Sequence, residues 1–152
     1  MKFFLILLLK TNLLLFLVLF ATEAFSQSKA IDSLKKIVEI KKEDTTKVNA
    51  LIELSRVSVD SSNAVQSAND ALMMAKKINY KKGEGIANLR IAEMNMHFHK
   101  NDEAVKNSFD ALRLFQEIKD DNNAVNAYNS IALSYYYQSK RIRKVLNTTM
   151  RP

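Results

Sequence analysis

Few side chains in this sequence have types and spacing that could do chemistry. His97 and His99 are its two histidines. Two residues apart on a helix, they point about 200° apart, so they cannot grip one metal ion as residues four apart could. They read as partly exposed polar groups near a helix end. Glu53 and Glu93 could be taken for a carboxylate pair, but no third group completes a mechanism around them. They read instead as part of a solvated face. There is no cysteine, which removes thiolate nucleophiles and disulfides. No phosphate-cradling glycine loop is present. The chain therefore reads as non-enzymatic, with no cofactor and no metal. The remaining reactive-looking cluster is aromatic. Tyr128 and Tyr135 share a helical stripe with Ile131 and are expected in the core. Tyr136 and Tyr137 fall toward the other side, where they read equally as interface anchors or as plain solvent-exposed residues.

The elements that position these groups begin after residue 26. Met1-Lys2 is a positive start, residues 13–21 are an unbroken apolar run, and Ala24-Phe25-Ser26 ends in small residues. This order is that of a secretory signal peptide cleaved between Ser26 and Gln27, and it implies export to the periplasm or cell envelope. The competing reading is an uncleaved membrane anchor, which Lys10 within the apolar stretch disfavours. The net charge of +7 does not mark a nucleic-acid binder. Between Gln27 and Ser139 sixteen basic residues face fifteen acidic ones, and five more basic residues sit in the tail after Ser139. A nucleic-acid footprint would need a basic face across the folded domain.

Gly83, Gly85 and Pro152 are the only glycines and proline, and apolar residues recur at helical spacing. The pattern predicts six helices, at about 29–41, 45–59, 64–78, 84–99, 103–119 and 123–139. The chain also matches itself at a shift of 40 residues: Leu51, Ile91 and Ile131 fall in register, as do Ala64 with Ala104, Ala71 with Ala111, Ala87 with Ala127, and Ala92 with Ala132. A fixed period of this length marks stacked helical units, each burying its apolar face against its neighbours.

On these residues the chain resembles the tetratricopeptide repeat (TPR) family. The resemblance rests on Leu51-Ile52 with Ala64 and Ala71, on Ile91-Ala92 with Ala104 and Ala111, and on Ile131-Ala132 with Tyr128 and Tyr135. The sequence departs from the family at Asn88 and Asn95, where large apolar groups are common, and in lacking the usual glycine and closing proline. Its 40-residue period is longer than the commoner form of about 34 and is similar to repeats preceding bacterial sensor kinases and transcription regulators. The resemblance implies an all-α superhelix of antiparallel hairpins: a leading helix in 27–44, repeats at 45–80 and 84–119, an incomplete third at 123–140, and a basic degenerate tail at 141–152. It also implies a concave, partner-binding face formed by the first helix of each repeat. Its inward stripe comprises Asn49, Glu53 and Arg56, then Arg90, Glu93 and His97, then Asn126, Asn129, Leu133 and Tyr136.

Lys144 and Arg151 stand where the register asks for small buried residues. Either the tail is a degenerate cap or the reading frame was lost after Lys140. The expected role is an exported module that binds a protein or peptide, the alternative being the truncated sensory region of a signalling protein. The incomplete third repeat is also expected to fray or to self-associate.

Overall fold

The computed structural model describes residues 28–40, 42–58 and 60–149. The signal segment and its junction at Gln27 lie outside the described residues, as do Met150, Arg151 and Pro152. The described chain is helical, with no strand: α1 over 28–39, α2 (Thr45–Val57), α3 (Ser61–Lys77), α4 (Lys81–His97), α5 (Asn101–Glu117) and α6 (Asp121–Thr149). The 40-residue register of the sequence resolves into two steps of 20, since α3, α4, α5 and α6 start at residues 61, 81, 101 and 121.

Three equivalent turns set this step. The N–H of Tyr80 donates to the carbonyl of Ala75 (2.8 Å), that of Lys100 to Asn95 (2.8 Å) and that of Asp120 to Phe115 (2.9 Å). In each turn the preceding residue is left-handed: Asn79 at φ 55°, His99 at 60° and Lys119 at 56°. This is the Schellman closure of a helix, a position that favours glycine. Asparagine tolerates it, whereas a histidine or lysine there carries a Cβ penalty of about 1–2 kcal/mol. Lys119→Gly is therefore expected to stabilise the fold by about 0.5–1 kcal/mol, after the extra freedom glycine gives the unfolded chain. A rise in the urea midpoint would show it; a fall would mean that the turn is not strained.

Helices α3 to α6 start two or three residues earlier than the sequence pattern suggests. Asp60 alone caps α3, accepting from the N–H of Ser62, so that Ser61, Ser62 and Asn63 are first-turn residues and not a loop. Asp44 caps α2 in the same manner, accepting from the N–H of Lys47. Asp120 accepts from the backbone N–H and side-chain amide of Asn123 and pairs with Lys82 at 3.0 Å. These contacts, Asn123 first and then Lys82, hold its carboxyl below the usual carboxylate range. Gly83, expected in a connection, is instead buried in the first turn of α4, and buried Gly85 follows two residues later. Both are sites of close approach. A Cβ on Gly83 would stand 2.4 Å from the Tyr80 ring, and one on Gly85 2.6 Å from the ring of Phe115.

Each of α2 to α6 packs on its chain neighbours, and alternate helices touch in the pairs α2 with α4 and α4 with α6. Small residues allow this. Ala64, Ala68, Ala71 and Ala75 line one stripe of α3, and Ala104, Ser108, Ala111 and Phe115 occupy the equivalent stripe of α5. One core cluster joins Val48, Leu51 and Ile52 to Ala71, Ala75 and Ala87, with Val38 of α1 packed against it. A second joins Leu89 of α4 to Leu112 and Phe115 of α5 and to Ala127 and Ile131 of α6, and Ile86 touches both.

Asn88 and Asn95 depart from an apolar pattern because Asn107 on α5 receives them. Asn95 donates to Asn107 (3.2 Å), Asn107 to Asn88 (3.3 Å), and Asn88 to the carbonyl of Glu84 (3.0 Å). Together with the ion pair of Lys81 and Glu117, these bonds show α4 and α5 running antiparallel.

Two expectations about α6 are corrected. It does not end near Ser139 but continues through the basic segment to Thr149. No helix breaker stands there. Gln138 donates to Asp102 (2.7 Å) and Arg141 to the carbonyl of His99 (3.4 Å), which tethers the extension to the α4–α5 turn. Tyr128 and Tyr135 are not core residues: they are 53% and 50% exposed, and Ala132 is exposed as well. The buried stripe of α6 is Ala124, Ala127, Ile131 and Ser134, rotated from the tyrosines toward α5. Ser130 flanks it, its hydroxyl 2.7 Å from that of buried Ser108.

Candidate functional site

The side chains with spare polar capacity gather between α4 and α6. A groove of about 500 Å³ opens there, and six of the ten residues assigned to the concave face line it: Arg56, Arg90, Glu93, Asn126, Asn129 and Leu133. Its apolar floor is Ile86, Leu89 and Met96. A second opening of about 360 Å³ adjoins it, sharing Glu93, Met96 and Leu133 and adding His97, His99 and Tyr137.

The period explains this convergence. Arg90 and Ser130, Glu93 and Leu133, and Ile86 and Asn126 are 40-residue equivalents on α4 and α6, so the same helical face is presented twice, side by side. Asn126 and Asn129 are three residues apart on α6 and thus about 4.5 Å apart along its axis. Both are exposed, and their amides make no hydrogen bond among the described residues. Asn123, at the near end, is already held by Asp120.

Arg90 has a second task. Its guanidinium reaches across to α2, donating to the Ser55 carbonyl at 3.1 Å and to the Ser55 hydroxyl at 3.4 Å, while also pairing with Glu93. Ser55 is buried near the C-terminal end of α2, where helix carbonyls lack intrahelical partners. Arg90 thus fastens the first hairpin to the second and orients Glu93 at the groove edge.

Four assigned residues stand elsewhere or at the margin. Asn49 is exposed and lies 3.5 Å from the hydroxyl of Tyr80. Glu53 pairs with Arg56 at 3.7 Å on the surface, outside the groove. His97 lines the adjoining opening. Tyr136 is exposed, its ring edge-to-face with Tyr137 at 5.6 Å, and lines neither opening. Met96 and Leu89 were missed because the α4 part of the inward stripe was drawn from polar residues, and Tyr137 was singled out with Tyr136 but left off that stripe. Their 3–4 spacing from Glu93 and Leu133 was the available signal.

Among the described residues no group of three or more His, Cys, Asp or Glu is placed to hold a metal ion. No helix among them is long and apolar enough to cross a membrane. Comparison of the chain with protein-family models, with curated proteins and with solved structures gave no match.

Proposed function

We propose that this chain is an exported, non-catalytic binding module of the tetratricopeptide type, which takes an extended segment of a partner protein in the groove between α4 and α6. The observation that carries this reading is the lining of that groove. Exposed amides of Asn126 and Asn129 face Glu93 and Arg90 across a floor of Ile86, Leu89 and Met96. An asparagine amide offers one acceptor and two donors, the complement of a peptide unit's own N–H and C=O. Amides repeated along one helix suit a main chain laid beside them, while the apolar floor suits a buried anchor side chain. The groove volume lies within the range typical of ligand sites. The 40-residue register and the alanine stripes support a stacked-hairpin array.

Selection from a random peptide library tests this reading. Enriched peptides are expected to bind the wild-type chain and to lose at least about tenfold in affinity, about 1.4 kcal/mol, in the triple variant Glu93→Lys, Asn126→Ala, Asn129→Ala. Asn126 and Asn129 are exposed and the half-buried Glu93 reaches the groove edge, so helical circular dichroism is expected to stay unchanged. Arg90 is left intact, because removing it would also loosen α2. A library that yields no enriched peptide, or peptides indifferent to the triple substitution, would reject the groove.

A further inference from the structure

The outer side of α6 carries a second pattern. Val125, Tyr128, Ala132, Tyr135, Ser139 and Ile142 follow one another at alternating steps of three and four residues, the spacing of a seam between two packed helices. The equivalent stripe of α4, 40 residues earlier, is where α5 lies. Gly85 sits under Phe115, Asn88 and Asn95 bond to Asn107, and Ala92 is fully buried. On α6 no helix of the described residues is packed over this stripe, which α5 meets only at its margin, where Gln116 donates to the Tyr128 hydroxyl (3.2 Å) and Ile142 borders the α4–α5 turn. Val125 and Ile142 are each 56% exposed, and eight of the twelve large apolar side chains exposed among the described residues belong to α6. Among the described residues the position that α5 occupies on α4 has no occupant on α6, and an antiparallel helix fits it.

We propose that this helix is α6 of a second copy, so that the chain forms a homodimer with its two α6 helices antiparallel about a two-fold axis. The stripe is complementary to itself in that arrangement. With the axis between positions 132 and 135, Ala132 faces Tyr135 of the partner subunit, and Tyr128 faces Ser139 of the partner subunit. Val125 meets Ile142 of the partner subunit. Each large side chain meets a smaller one, as interdigitating helices require. Charge selects the same orientation. The basic segment with Lys140, Arg141 and Arg143 lies toward the acidic start of the partner helix, at Asp120 and Asp121, whereas a parallel pair would bring the two basic segments together. From Val125 to Ile142 the seam is about 26 Å long. One helix width over that length is smaller than a standard stable interface, so the dimer is weak and reversible. Asn126, Asn129 and Leu133 lie on a different side of α6, so peptide capture and dimerisation are separable.

Sedimentation equilibrium over a concentration series, on the chain as cells process it, tests the proposal. A monomer–dimer equilibrium is expected. Ala132→Glu sets two carboxylates beside the axis and is expected to raise the dimer Kd at least about tenfold, with unchanged helical circular dichroism. Register is tested by exchanging sizes. Ala132→Tyr and Tyr135→Ala alone should each weaken the dimer, and the double exchange should bring Kd back to within about threefold of wild type. A monomer at every concentration, a dimer indifferent to Ala132→Glu, or a double exchange no tighter than its parents would overturn it.

Discussion

Replacing Phe115 by alanine is expected to cost about 3–5 kcal/mol, which is a large share of the roughly 5–15 kcal/mol that holds a domain folded. Phe115 is fully buried at the point where α4, α5 and α6 meet, among Leu89, Leu112, Ala127 and Ile131. Its ring also occupies the space that the absent side chain of Gly85 leaves, with a hypothetical Cβ only 2.6 Å away. Removing the ring opens a cavity that a helical array cannot close without shifting α5. Urea denaturation followed by circular dichroism should show a lower midpoint at a similar slope. The partner position makes the test specific. Gly85→Leu alone should destabilise by overpacking, despite the better helix propensity of leucine. In the Phe115→Ala background the same substitution should recover part of the loss. Equal effects in both backgrounds would show that the two positions do not share one space.

Asn107→Leu is the second large effect, expected at about 1–3 kcal/mol of destabilisation. Asn107 accepts from Asn95 and donates to Asn88, whose side chain is almost wholly buried. Leucine would leave the Asn88 carbonyl oxygen without its donor in a place where water cannot replace it. Converting Asn88, Asn95 and Asn107 together to apolar residues of similar volume should return stability close to wild type, because no polar group is then left unmatched. If the single change is neutral by thermal melting, water reaches the relay.

The helical class and the sequence of six helices were legible in the chain, because periodicity and helix-friendly composition depend only on local spacing. The 40-residue register was legible for the same reason. Helix starts were less so: Ser61, Ser62 and Asn63 suit either a loop or a first turn, and the choice of Asp60 as sole cap depends on backbone geometry. Gly83 and Gly85 look like punctuation in sequence. Their purpose is to admit Tyr80 and Phe115, contacts that no local pattern reveals. Asn88 and Asn95 stood out as departures, while the reason for them lies on the next helix. Tyr128 and Tyr135 stand three and four residues from Ile131 and still lie half exposed, because the face that α5 covers is centred on the other side of Ile131. At the candidate site, the register brought Arg90, Glu93, Asn126 and Asn129 to one side. The bond from Arg90 to Ser55 is a tertiary contact with no signature in spacing.

The three-residue joints at 78–80, 98–100 and 118–120 have a kinetic consequence. Every helix from α3 to α6 packs on the helix that precedes it, whose start lies about twenty residues back along the chain. Bringing two such helices together closes only a short loop, whose entropic cost is small and grows slowly with length. Low contact order of this kind goes with folding in microseconds to milliseconds. Each hairpin can assemble while the next is still being synthesised, since nothing in its packing waits for a distant segment. A chain destined to pass through a membrane unfolded would, by the same token, face a race. Its hairpins close quickly on whichever side they first appear, so export before folding depends on holding them open.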